Sequence, residues 1–538
     1  MSKELLTTLM NVMIFAPMIG VPLILAMKKE SAKYVAFLVS LIPFALSIIL
    51  LVQYLTYSAH ADSSTGMVFF SSYKWITLPG FDVNFTTGMD GISVHLIWLT
   101  TLIFPISIYF SWASIEKYEK PYYALLLTLQ IGVLGFFLSL DMLLFYIFFE
   151  MVLIPMYFII GIWGGKDRVY ASLKFFLYTL IGSLLMLVAI IYAGVHADKA
   201  FVFTTDYYRI LNANFPIEIQ TWLFLAFAAS FAVKVPLFPL HTWLPDAHVQ
   251  APTAGSVILA AVLLKMGTYG LVRFCLPMFP EAAHNWATFF CVLSVIGIIY
   301  GAMAAMVQTD IKKLVAYSSV SHMGFVVLGI FSFTKEGMSG AVIQMISHGV
   351  ATGALFLIVG MIYDRRHTRE IKDFQGLAKQ MPIFTLLFMI TVFASVGLPG
   401  LNGFVGEFLI IMGAGSSPII SKTFAFFAAT GVIIAAVYLL WMFRRMMFGE
   451  LDKKENQVLT DLNGREVTLL MPLIVLMFWM GLAPNPFLRE INYASDKIVA
   501  HVLEQNGIIS KPLQAPTIST PALPQQMQIP TNVNVGGH

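Results

Sequence analysis

Six ionisable residues stand inside stretches that otherwise hold little but apolar side chains. Glu150 lies in LLFYIFFEMVLIPMYF, Lys234 in AASFAVKVPLF, Lys265 in LAAVLLKMGTYG, His322 in YSSVSHMGF, His348 in IQMISHGVATG and Glu407 in LNGFVGEFLIIMG. A charged side chain at the centre of a membrane helix costs about 2.5 to 3.5 kcal/mol on insertion scales, so each is a functional candidate. Carboxylates, amines and imidazoles share one reaction, proton transfer. Burial disfavours their charged forms, a nearby opposite charge restores them, and histidine titrates near neutrality. A lysine close to a glutamate therefore holds its proton, and the same lysine drawn away becomes an acid able to pass it on. The expected row is an acid, Glu150; two lysines, Lys234 and Lys265; two histidines, His322 and His348; and a second acid, Glu407.

Each has a plainer alternative. Glu150 and Lys234 could form a purely structural ion pair, although burying such a pair usually gains nothing over apolar residues of the same size. Lys265 could snorkel only from a helix end, and it stands about twelve residues into its span. A lone histidine in a helix is more often a hydrogen-bonded core residue than a relay element, and Glu407, close behind a Gly-Pro break, could cap a half-helix. His241 and His248 fall on the turn after the seventh helix. There they either brace the loop or form the cytoplasmic mouth at which protons are taken up.

Composition sets the medium. Of 538 residues, 58% are hydrophobic and 11% charged, and the mean hydropathy is +0.80, which describes an all-α polytopic membrane protein. The net charge of +3, without basic clusters interleaved with aromatics, excludes a nucleic-acid partner. Two cysteines, Cys275 and Cys291, cannot by themselves supply the four thiolates that usually hold an iron–sulfur cluster. No phosphate loop, dinucleotide fingerprint or zinc-protease motif is present. Energy must come from outside the chain, which is then a secondary exchanger or the membrane part of a larger machine.

Apolar runs predict about 14 transmembrane helices, near 5–27, 34–56, 91–112, 121–140, 142–163, 170–194, 219–240, 254–276, 286–308, 313–333, 338–363, 382–412, 420–444 and 467–488. The first reads as a retained helix and not a cleaved signal, since no small-residue cleavage site follows it. With that count, 19 of the 32 Lys and Arg lie on the face carrying KKESAK, GGKDR, DIKK, YDRRHTREIKDF and FRRMMFGELDKKENQ, which is therefore cytoplasmic. Lys174, Lys234 and Lys265 belong to no loop.

A weak repeat organises the bundle. Asp141 matches Asp310, KFFLYTLIGSLLMLV matches QMISHGVATGALFLI, and FAVKVP matches FASVGLP, at separations of 169, 170 and 162 residues. Five helices is an odd number, so the two copies must be inverted, as in many transporters. The expected division is a three-helix segment, 1–120; inverted repeats at 121–276 and 286–446; a cytoplasmic loop and last helix, 447–490; and a Pro-rich tail, 491–538. Two helices should be broken, at KVPLFPLHTWLPD and at SVGLPGLNGF, and broken backbone at that depth is tolerated only where protein or water satisfies it.

GMDGISVH, FFEMVLIPMYFIIGIWG, FAVKVPLFPLHTWLPDAHVQAPTAGSVILAAVLLKMGTYGL, QTDIKKLVAYSSVSHMGF, GAVIQMISHG and GLPGLNGFVGEFLI together resemble the antiporter-like subunits of respiratory complex I. Within that family the chain is most similar to the chain M branch, the counterpart of mitochondrial subunit 4. The resemblance is strong over residues 85–450. It implies two inverted five-helix units, one proton channel and no redox cofactor in this chain. NADH, FMN, iron–sulfur clusters and quinone would belong to partner subunits. It places the family's channel residues on Glu150, Lys234, Lys265 and Glu407 and its axial histidines on His322 and His348; the glutamate at 407 fits chain M, because sister chains commonly carry lysine there. The implied partners are the other membrane subunits, including sister antiporter-like chains, and the lipid bilayer of a bacterial inner membrane. Mrp-type sodium/proton antiporters and membrane-bound hydrogenases share the motifs; YDRRHTREIKDFQGL looks more like chain M than like them.

Overall fold

The computed structural model describes residues 1–57, 66–197 and 202–509. Thirteen helices in the described residues are long and apolar enough to cross a membrane. In chain order they are α1 Lys3–Ala26, α2 Lys29–Tyr57, α3 Ser93–Ser114, α4 Glu119–Leu138, α5 Met142–Trp163, α6 Arg168–His196 and α7 Ile217–Lys234. A short continuation of the last, α8, spans Trp243–Gln250. The others are α9 Thr253–Met278, α10 Pro280–Met306, α11 Ile311–Phe331 and α12 Lys335–Arg366, then α15 Thr423–Met447 and α16 Gly464–Leu482. Between α12 and α15 lie α13 Pro382–Val396 and α14 Asn402–Ser416, the two halves of the span expected near 382–412. Both breaks fall where the sequence places them. The Pro-rich segment after Lys234 offers no amide at Pro236 and Pro239 to continue the ladder, and Gly397 ends α13 in the left-handed conformation, φ +82°.

Burial separates the helices by role. The apolar windows of α9 and α12 are wholly buried and that of α11 nearly so, whereas α2 and α15 bury no more than about a third of theirs. The helices that carry Lys265, His322 and His348 are thus the axis of the bundle. Aspartates start helices at matching places: Asp141 Oδ1 accepts from the Leu143 and Leu144 amides, and Asp310 Oδ1 accepts from Lys313 N. Burial pushes the Asp141 carboxyl up to about 7, against the bonds from Thr205 and those two amides that hold it down.

Two elements correct the sequence reading. Residues 1–120 hold more than three helices: β1 Phe69–Leu78 and β2 Phe81–Met89 form an antiparallel hairpin turned at Pro79-Gly80, where Gly80 takes φ +79°. The apolar search passes over it because its outer residues, among them Tyr73, Lys74 and Trp75, are exposed and polar residues interleave. Residues 491–505, assigned to the tail, belong instead to α17, Asn485–Gln505, whose Phe487, Ile491, Ala494, Ile498 and Val502 are buried along one face. The tail beyond 509 lies outside the described residues.

One ion pair locks this end of the molecule. Asp90, just before α3, accepts from Ile92 N and Ser93 N and pairs with Arg273 Nη2 of α9. Both side chains are only 6% exposed. Burial pushes the Asp90 carboxyl up, but the Arg273 guanidinium beside it outweighs this and holds it below the usual carboxylate range.

Candidate functional site

Lys265 lies midway along α9, between two π-helical turns, Leu259–Leu263 and Leu271–Cys275. Such turns interrupt the regular ladder. Here the ammonium donates to the Ala260 carbonyl, five residues back, at 2.5 Å, and stands 2.7 Å from His348 Nδ1 on α12. With the ammonium donating, His348 Nδ1 accepts and the ring proton is on Nε2. Neither His348 Nε2 nor His322 Nε2 has a hydrogen-bond partner among the described residues. The two rings, centroids 5.7 Å apart, line one cavity of about 10 Å³ together with Ser347, Thr352 and Ser395, which is room for a single water. Beyond it, His322 Nδ1 stands 2.9 Å from Glu407 Oε1, which also accepts from Gln344 Nε2 at 3.2 Å. Lys265, His348, His322 and Glu407 thus form one buried series whose neighbours are in contact or one water apart.

The second broken helix positions the last member. Gly397 has no Cβ to collide with Glu407, whose Oε2 lies 2.9 Å from where that atom would be. Asn402, at the start of α14, donates to the Ser347 carbonyl, and Ser347 Oγ donates to the Asn402 carbonyl, both at 3.1 Å. These reciprocal bonds tie the start of α14 to the middle of α12.

The other half of the row is looser. Lys234 ends α7 and is 1% exposed, its Nζ lying 5.0 Å from the Phe149 ring centre and 5.6 Å from that of Phe175. The purely structural ion pair with Glu150 is not formed: among the described residues no ion pair within 4.0 Å joins the two. Two rings are seated against the ammonium, while Glu150, half-buried on α5, neighbours Ser183 of α6. Its charge still reaches Lys234. Among the described residues the two groups thus stand apart. At Gly267, α9 approaches the end of α7 so closely that a Cβ would meet Val235 N at 2.9 Å, which sets the two lysine-bearing segments side by side.

The two loop histidines differ. His241 is enclosed by aromatic rings, stacked on Phe238 at 5.7 Å with Tyr300 edge-on at 5.1 Å. His248 is flat against Phe356, ring centres 4.5 Å apart, and neither of its nitrogens has a partner among the described residues. Three polar contacts escape the sequence reading: Gln344 on Glu407, the Asp90–Arg273 pair, and Asp246, which pairs with Lys174 at 2.7 Å. No spacing rule links residues that far apart in the chain.

Residues 139–435 match the family described as NADH:quinone oxidoreductase/Mrp antiporter, transmembrane. NADH-quinone oxidoreductase subunit M of Rhodobacter capsulatus is 44% identical over 497 residues, covering 89% of this chain and 93% of that protein. The chain belongs to the family of NADH-quinone oxidoreductase subunit M. NADH-ubiquinone oxidoreductase chain 4 of Chondrus crispus is also 44% identical, over 89% of this chain and 95% of its own. In the solved respiratory complex I from Thermus thermophilus with bound NADH, one chain superposes with a TM-score of 0.81 at 31% identity, over 92% of this chain and 99% of that one. The matched family region holds all eight candidates from Glu150 to Glu407. Its description spans Mrp antiporters as well, and near-full-length identity to subunit M is what separates the two.

Proposed function

We propose that this chain is a proton-translocating subunit of an NADH:quinone oxidoreductase, driven by quinone reduction in other subunits. The observation that carries the reading is the buried series Lys265–His348–His322–Glu407, whose first three members stand on the most enclosed helices of the bundle. A proton taken up from the cytoplasmic face at the His241 to His248 turn loads Lys234, held there while Glu150 is near. When the two separate, it passes to Lys265, then through the histidines, and leaves by Glu407. Moving one charge against 100 mV costs about 2.3 kcal/mol, less than two pKa units at about 1.4 kcal/mol each, so modest rearrangement suffices. NADH, FMN, iron–sulfur clusters and quinone are held by the partner subunits. Those partners include sister antiporter-like chains in a bacterial inner membrane. A mitochondrial inner membrane is the second option.

In the assembled complex, Lys234→Ala or Glu150→Ala abolishes most pumping and slows quinone reduction; coupled turnover at the normal rate in either variant would overturn the reading. An exchanger acting alone would move cations when the purified chain is placed in liposomes without redox partners, and no such flux is expected.

The Gly397 contact gives a further expectation. Gly397→Ala and Gly400→Ala both place a Cβ at positive φ, +82° and +93°, and each costs about 1 to 3 kcal/mol of stability. Only Gly397 abuts the Glu407 carboxylate, whereas the nearest atom to a Cβ at 400 is Leu482 Cδ2, 3.7 Å away. Thermal unfolding should fall similarly in the two variants, and pumping should drop further in Gly397→Ala alone.

A further inference from the structure

The cytoplasmic face holds a cavity of about 470 Å³ lined in part by Lys166, Gln250, Lys312, Tyr363 and Arg369. Lys166 is exposed and Arg369 partly so, whereas Lys312 is buried, 6% exposed. Its Nζ donates to the Ala251 carbonyl at 2.6 Å. That carbonyl follows α8, three residues past His248. The His248 ring is wholly buried, both of its nitrogens lack partners among the described residues, and the two cations whose charge reaches it are Lys312 and Lys265. A buried amine on a cytoplasmic cavity, held on the chain three residues past His248, and a buried imidazole without hydrogen-bond partners among the described residues thus lie close together, with the lysine of the central series within reach of the same imidazole's charge.

We propose that Lys312 carries protons out of the cytoplasmic cavity to His248 and so to Lys265, a route that does not pass through Lys234. This rests on the proton-translocating reading above and adds a second cytoplasmic intake to it, one that reloads Lys265 after the proton delivered through Lys234 has moved on, so that the cycle stalls when either intake is blocked. In the step, Lys312 Nζ turns from the Ala251 carbonyl to a ring nitrogen of His248. One N–H bond breaks on the ammonium and one forms on the imidazole. Lys312, left as a neutral amine, takes a proton from cavity water. The imidazolium returns to neutrality by giving a proton to Lys265 in its amine form. The plainer role for Lys312 is to satisfy a carbonyl at the end of α8, as Arg369 does at the Val249 carbonyl, 2.7 Å away.

Lys312→Arg separates the two roles, since it keeps the charge and the donor but cannot release a proton. Lys312→Gln keeps a donor alone. The test uses the intact complex in inverted membrane vesicles energised with NADH, reading dye-reported proton uptake, quinone reduction and subunit content. Both variants should assemble and lose about tenfold or more of coupled activity, a conservative share of what a positioned proton-transfer group contributes. Normal pumping by either assembled variant overturns the proposal, and rescue by arginine alone assigns Lys312 the capping role. If neither assembles, His248→Gln is compared with His241→Gln, since it removes the imidazole and touches no carbonyl bond of Lys312: an assembled His248→Gln impaired well beyond His241→Gln supports the route, and one impaired no more than His241→Gln, or not at all, overturns it. Lys265→Met is run in parallel. Normal pumping there brings down the proton-translocating reading itself, whereas an inactive Lys265→Met beside active Lys312 variants removes only this intake.

Discussion

Lys265→Met in the assembled complex is expected to stop pumping and to lower coupled quinone reduction by roughly 10²-fold or more, the range in which losing a positioned proton-transfer group falls. The substitution is chosen to leave the packing intact. Methionine is unbranched and close in length, and it fills an apolar site without opening a cavity. What disappears is the amine 2.7 Å from His348 Nδ1, so the series is cut between its lysine and its first imidazole. Lys265→Arg should be as inactive, because a guanidinium keeps the charge but does not deprotonate. The check is NADH-driven quinone reduction and proton uptake in vesicles, with subunit content confirming assembly. A lysine serving only to fill or brace the helix would let arginine restore turnover.

Asp90→Asn is expected to act on assembly instead of transfer. It leaves the Arg273 guanidinium buried without its counter-charge, and breaking one side of a buried pair costs about 3 to 5 kcal/mol. It also weakens the acceptor for the first amides of α3. The subunit should be depleted from the membrane. The double variant Asp90→Asn, Arg273→Met should accumulate better than Asp90→Asn alone, since no unpaired charge remains. The pH dependence follows from the lowered carboxyl. Its stabilisation is complete above the ordinary aspartate value, about 3.9, and is lost as pH falls through the lower folded value. Acid unfolding of the wild-type complex should therefore lose a stabilising contribution that the double variant lacks. Equal membrane levels of all three proteins would show that the pair holds nothing together.

The helices and the identities of the buried groups were legible because both depend on short-range pattern. Runs of apolar residues define the spans, and an ionisable residue within one is visible wherever it points. Pro236, Pro239, Gly397 and Pro399 likewise mark the two breaks by their own backbone restrictions. The hairpin at 69–89 was not legible by length and hydropathy, since its turn end is exposed on both faces and polar residues interleave along both strands. Nor was the separation of Glu150 from Lys234: the two residues are 84 positions apart, and whether rings of Phe149 and Phe175 stand against the ammonium is decided by how α5, α6 and α7 pack. Lys312 and Lys313 show the same limit. Adjacent and identical in type, they read as one charged loop, yet Lys312 turns inward to the Ala251 carbonyl.

The chain of transfers depends on water linking groups that do not touch. The most direct test is a cryo-EM map of the intact complex during NADH turnover, at a resolution that shows ordered waters. Expected are one water bridging His348 Nε2 and His322 Nε2 and a file of waters joining Lys234 to Lys265. Well-defined side chains with apolar atoms closing both gaps, in every state the map separates, would contradict the account.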